Sequence, residues 1–167
     1  MTVVIHDLDR HTWEQFANVP PDASVISDDG SIKRCIGCFG CWVKTPGQCV
    51  IADEYQKMGE LLGCADELVI ISRCSFGSYS SFVKNVMDRS ISYVLPYFEI
   101  RGGEMHHKAR YKNHIRMRAY FYGDAVTEDE KCTAKQLVAA NADNFQGIVE
   151  DVLFVDSAEE LVEVISW

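Results

Sequence analysis

The stretch Glu67-Leu68-Val69-Ile70-Ile71-Ser72 constrains the fold more than any other part of the chain. A strand with one wet face alternates apolar and polar residues, whereas this run is apolar and β-branched without a break, the pattern of a strand covered on both sides. Such strands sit in the middle of parallel sheets flanked by helices. The rest of the chain agrees. Thr2 to Asp7, Ala23 to Ser27, His114 to Tyr122 and Ile148 to Val155 read as four further strands, the second of them weak. Amphipathic stretches alternate with them near Arg10–Val19, Tyr55–Cys64, Ser78–Ser92, Thr127–Phe145 and Ala158–Ile165. Three of these begin with residues suited to a reciprocal capping box: Asp53 with Gln56, Thr127 with Glu130, and Ser157 with Glu160.

Right-handed crossovers between such strands build an α/β, three-layer, doubly wound domain, and five strands favour the flavodoxin-like order 2-1-3-4-5. At 167 residues with 47% hydrophobic side chains, one domain over residues 1–167 is expected. Ligands of such sheets bind at the carboxyl ends of the strands, where the first and third part. Two segments interrupt the alternation. One is a cysteine-rich insertion at about 28–52, and the other, about 93–113, is expected to be an interface loop.

The formal charge of −9 is unevenly spread, because residues 119–167 carry 11 acidic side chains against Lys131 and Lys135. A phosphate backbone would be repelled, so nucleic acid is not an expected partner. Arg101, Lys108, Arg110, Lys112, Arg116 and Arg118 make a local basic run opposed only by Glu104, most simply a solvated surface and otherwise suited to NADPH phosphates or to the acidic third of a neighbouring subunit. No apolar stretch reaches the roughly 18 residues of a membrane span, and the start of the chain lacks a basic region or long apolar run, so a cytoplasmic location is expected.

A domain of this size needs no staple, which makes its seven cysteines informative. Cys64, Cys74 and Cys132 fall in segments that read as core. Cys35, Cys38, Cys41 and Cys49 form C-x2-C-x2-C-x7-C. Gly37 and Gly40 let the backbone curl around an inorganic cube, and Thr45-Pro46-Gly47-Gln48 is a type II turn sequence able to bring Cys49 back to the other three. A 4Fe-4S cluster is the leading reading. Four-thiolate zinc and a metal-free thiol loop stay open beside it.

The stretch from Cys35 through Cys49 to Ile51 resembles the cysteine loop of the iron–sulfur flavoproteins, a branch of the NAD(P)H-dependent FMN reductase and multimeric flavodoxin group. The similarity continues through Ala65–Ser72 and Lys84–Arg89. It implies a flavodoxin-like fold, FMN at the strand ends, a cluster near the flavin, and a homodimer or homotetramer. On this reading Arg73, Cys74, Ser75, Phe76, Gly77, Ser78 and Tyr79 hold the flavin ring, with Gly123 and Asp124 closing the opposite side. The family's Ser-Pro-x-Tyr-type sequence is replaced here by Ser72-Arg73-Cys74-Ser75-Phe76. Its glycine-containing phosphate loop is replaced by Ile5-His6-Asp7-Leu8-Asp9-Arg10-His11-Thr12-Trp13, where Arg10 and Thr12 are the candidate phosphate contacts.

Together these features predict an FMN-dependent electron-transfer oxidoreductase that takes electrons from NAD(P)H or another donor and relays them through the cluster to a small-molecule or protein acceptor. The alternative is a flavin-free scaffold whose cysteines bind metal or sense redox state. Glu104, His106, His107 and His114 read as polar loop residues. Trp42 is placed to shield the cysteine loop and Trp13 to cap a vacant phosphate position, and both read equally well as core aromatics.

Overall fold

A computed structural model describes residues 1–167 throughout. Strand β1 (Thr2–His6) leads through the short helix α1 (Arg10–Trp13) to β2 (Ser24–Ser27). The insertion carries helix α2 (Gly40–Val43), and a 3-10 turn at Glu54–Lys57 runs into α3 (Met58–Gly63). Next come β3 (Glu67–Arg73), α4 (Ser81–Arg89), a hairpin of β4 (Val94–Arg101) and β5 (Glu104–Ala109), β6 (Arg116–Tyr122), α5 (Glu128–Asn144), β7 (Ile148–Val155) and α6 (Glu160–Val164).

The main sheet runs β2-β1-β3-β6-β7 with every pair parallel, which is the order 2-1-3-4-5 when only its own strands are counted. As the unbroken apolar run requires, β3 is central and Leu68 to Ile71 are fully buried. Alternate residues divide between two cores. Val3, Ile5, Leu68, Ile70, Met117 and Phe121 join the larger one with α3, α4 and α5, while Val4, Val69, Ile71 and Tyr120 join the smaller one with Phe16 and Leu161. Helix α5 packs through Ala134, Val138 and Ala142, one apolar residue per turn, and opens with the Thr127–Glu130 capping box.

Three expectations are corrected. The first helix stops at Trp13, after which Gln15 and Phe16 form tighter turns and Asn18 reverses the chain at φ +62°, ahead of Pro20 and Pro21. Segment 93–113 is no irregular loop. Gly102 and Gly103, at φ +58° and +88°, supply the two-residue turn between paired Arg101 and Glu104, and a Gly-Gly pair is a recognisable hairpin signal. Cys64 and Cys132 are exposed rather than core, and Cys74 is half-buried against the larger core. No helix is long and apolar enough to cross a membrane.

Candidate functional site

Cys35, Cys38, Cys41 and Cys49 all line one cavity of about 480 Å³, walled on its other sides by α4, α5 and the hairpin. The local sequence explains the convergence. Phe39 takes a left-handed conformation at φ +56° and starts α2, which carries Cys41 inward. A Cβ on Gly40 would lie 2.5 Å from the Val50 side chain, so glycine lets this helix approach the returning segment of the loop. The expected turn is present: Gln48 N–H donates to the Thr45 carbonyl at 2.9 Å, and Gly47 stands at φ +92°. It delivers Cys49 to the cavity.

Cys41 and Cys49 are buried while Cys35 and Cys38 are exposed. Burial, then the neighbouring thiols of Cys49, Cys35 and Cys38, push the Cys41 thiol up. The side chains are not drawn together at metal-ligand spacing. The donor set nevertheless suits an iron–sulfur cluster, because four cysteines of one loop all line the same cavity. Trp42 closes its edge, donating its indole N–H to the Val94 carbonyl at 3.0 Å and packing between Phe39 and His107.

What holds the loop is Arg89, a residue whose role the sequence did not disclose. Its side chain is fully buried and paired with Asp53, with contacts of 2.6 and 2.8 Å. It also donates to the carbonyls of Lys33 (2.7 Å) and Ile51 (3.4 Å). One guanidinium thus fastens the chain just before Cys35 and just after Cys49. From the same helix, Asn85 accepts the Cys35 N–H at 3.2 Å. The hydrogen bond from Arg89 holds the Asp53 carboxyl below the usual carboxylate range. A signal was present: Arg89 shares a helix face with the buried Phe82 and Val86, and a cation on an apolar face requires a partner.

At the strand ends, the loops after β3 and β6 meet. Cys74 N–H donates to the Tyr122 carbonyl at 2.8 Å, the Arg73 guanidinium stands 3.7 Å from Asp124, and a Cβ on Gly123 would lie 3.9 Å from the Cys74 carbonyl. Ser75 and Ser78 exchange two backbone bonds around Phe76 and Gly77, at φ +53° and +74°. Phe76 is 91% exposed at this tip. Gly77 abuts α5, where a Cβ would stand 2.7 Å from Thr133. Tyr79 does not face the slot, because it is buried and stacked on Phe121, where burial pushes its hydroxyl up to about 12.

The turn after β1 gathers Arg10 and Thr12 but commits both. Asp9 caps α1, accepting the Thr12 N–H at 3.0 Å and the Thr12 hydroxyl at 2.9 Å, while the exposed Arg10 pairs with Glu14. Asp7 accepts the Arg73 N–H at 3.0 Å and the Tyr122 hydroxyl at 3.1 Å. A phosphate does not fit this turn. Trp13 is stacked on His6 at 4.1 Å instead of lying over an open position. His107 bonds to the Leu95 carbonyl, His114 to that of Gln146, and His106 faces Glu104, so the histidines serve three separate partners.

No protein-family model matches the chain. Over 78 residues it is 35% identical to a protein named iron–sulfur flavoprotein from Archaeoglobus fulgidus, a match that covers 46% of this chain and 37% of that protein. Among solved structures, the NAD(P)H:quinone oxidoreductase from Methanothermobacter marburgensis superposes with a TM-score of 0.56 at 14% identity, covering 97% of this chain and 93% of that one. General stress protein 14 from Treponema denticola, solved in complex with FMN, gives 0.53 at 11% identity over 97% and 89%. The chain thus has a flavodoxin-like fold shared with these solved proteins and, over just under half its length, sequence likeness to a protein named iron–sulfur flavoprotein.

Proposed function

We propose that the protein is an electron-transfer oxidoreductase of the NAD(P)H-dependent FMN reductase type, with a flavin at the strand ends and a 4Fe-4S cluster on Cys35, Cys38, Cys41 and Cys49. The observation that carries this reading is the convergence of all four cysteines on one cavity of a flavodoxin-like fold. The relative named iron–sulfur flavoprotein and the structural neighbour solved with FMN support it. A flavin exchanges electrons in pairs and a cluster passes them singly, so the two groups would join a nicotinamide donor to a one-electron acceptor.

The chain's own part is positional. Arg89 and Asn85 fix the loop, Trp42 and Phe39 limit water at the cavity, and Arg73 with Asp124 bridges the two strand-end loops where the flavin ring would lie. Assembly into two or four copies, with a small molecule or a protein as donor and acceptor, belongs to the same proposal. The closed turn after β1 favours a second reading, a flavin-free scaffold whose cysteine loop holds metal or senses redox state.

An absorption spectrum of anaerobically purified protein, with iron, zinc and flavin quantified per chain, separates the two. Iron near four per chain together with flavin is the expected result. Iron or zinc in protein that takes up no flavin even when flavin is supplied would select the scaffold, and neither metal nor flavin binding would overturn the proposal.

A further inference from the structure

An anion binds at the mouth of a doubly wound sheet because the amides of a helix start are left without partners and point at it. In the turn after β1 the chain's own carboxylates stand in that place. Asp9 takes the Thr12 N–H with one carboxylate oxygen and the Thr12 hydroxyl with the other. At the adjoining strand end, both oxygens of Asp7 take the Arg73 N–H, at 3.2 and 3.0 Å, and one of them also takes the Tyr122 hydroxyl. The nearby arginine is engaged too, since Arg10 is bound to Glu14. Thr12 and the Arg73 amide are thus answered by the chain's own carboxylates, and two negative charges stand where a dianion would arrive.

The ring end of the same mouth presents exposed side chains by contrast. Phe76, Arg73 and Asp124 are all exposed there. We propose that the protein takes its flavin by the ring alone, its own carboxylates filling the phosphate position, so that flavins with and without a 5′-phosphate are bound alike. The proposal rests on the reading that the strand ends take a flavin. A flavin held this way exchanges with solution and behaves as a substrate more than as a resident group.

The test is an equilibrium titration of anaerobically purified protein, freed of flavin by dialysis, with FMN and with riboflavin, followed by flavin fluorescence. The expected affinities agree within about threefold, and inorganic phosphate does not compete. FMN binding at least tenfold more tightly, or displacement by phosphate, would overturn the inference and leave the flavin reading standing. Failure of both flavins to bind would overturn both. In Asp9→Asn the cap persists, because asparagine caps a helix as well as aspartate does. The ratio of FMN to riboflavin affinity should rise at least threefold there, and an unchanged ratio would refute Asp9 as the excluding group.

Discussion

Phe76 stands in the left-handed region at φ +53° with its ring almost wholly in solvent, two costs that no packing in the fold offsets. A side chain with a Cβ loses about 1 kcal/mol in that conformation, and asparagine tolerates it better than phenylalanine. Phe76→Asn should therefore stabilise the protein by about 0.5–1 kcal/mol in urea unfolding. If the ring walls the flavin slot, the same variant should weaken flavin binding roughly tenfold, which is 1.4 kcal/mol. Stability and binding moving in opposite directions would mark the strain as functional, and a loss of both would show that Phe76 packs on something the fold needs. A second residue sets the response to acid. Burial pushes His6 from 6.5 down to about 4, so in this range the unfolded chain takes up a proton that the folded chain refuses. Its contribution is complete above 6.5 and falls away as pH drops toward 4, by up to about 1.4 kcal/mol per pH unit. Neighbouring Asp7, raised by burial, works in the opposite sense, favouring the fold at low pH and losing that contribution as pH rises past its raised value. His6→Phe keeps a ring against Trp13 and removes the titration. The acid limb of the urea midpoint between pH 6.5 and 4 should flatten while the value at pH 8 stays put; an unchanged limb would assign acid sensitivity elsewhere.

At the scale of elements, the cysteine loop is a guest held by α4. The loop has almost no regular structure of its own between Ser27 and Gly40, so its shape is set from outside by Arg89 and Asn85. Arg89→Met would leave Asp53 buried without its cation and should cost about 3–5 kcal/mol. Arg89→Met with Asp53→Leu removes both charges and should recover most of that loss, since a buried pair is often replaceable by apolar side chains of similar size. The double variant would then fold but hold its loop loosely. Thermal melts close to those of the unsubstituted protein, together with an iron content reduced at least twofold, are expected; full iron in the double variant would deny Arg89 a positioning role. Cys49→Ser tests the ligand set more directly, with cluster absorbance lost and circular dichroism retained. This contrast also explains what could be read beforehand. The five strands and their order follow from local hydrophobic patterns, and the turn at Thr45–Gln48 follows from proline and glycine. The bond of Arg89 to Lys33 spans 56 residues and leaves no local trace beyond one misplaced cation on an apolar helix face. Tyr79 misled for a related reason, because a tyrosine after a strand looks the same whether it turns to the ligand or, as here, onto Phe121.

For the molecule as a whole, the hairpin is the part the sheet does not need. Its register places Phe98, Ile100, Met105 and His107 on one face, and the first three are exposed. That face continues into the cysteine cavity, because His107 packs on both Phe98 and Trp42 and lines the cavity wall. An apolar surface in this position is suited to a second copy of the chain, the assembly that the cysteine-loop resemblance implies. The uneven charge points the same way. Residues 119–167 hold the whole net −9, while the basic run begins at Arg101 within the hairpin, so two copies can set opposite charges against each other. If so, covering the face also covers the cavity, and cluster lifetime in air becomes a readout of assembly. Ile100→Glu with Met105→Glu places two like charges on directly paired positions of the face. Light scattering should find this variant as a monomer, and its visible absorbance should bleach in air several-fold faster than that of the unsubstituted protein. A monomer that keeps its cluster equally long would separate assembly from shielding and leave Trp42 and Phe39 as the cavity's only screen.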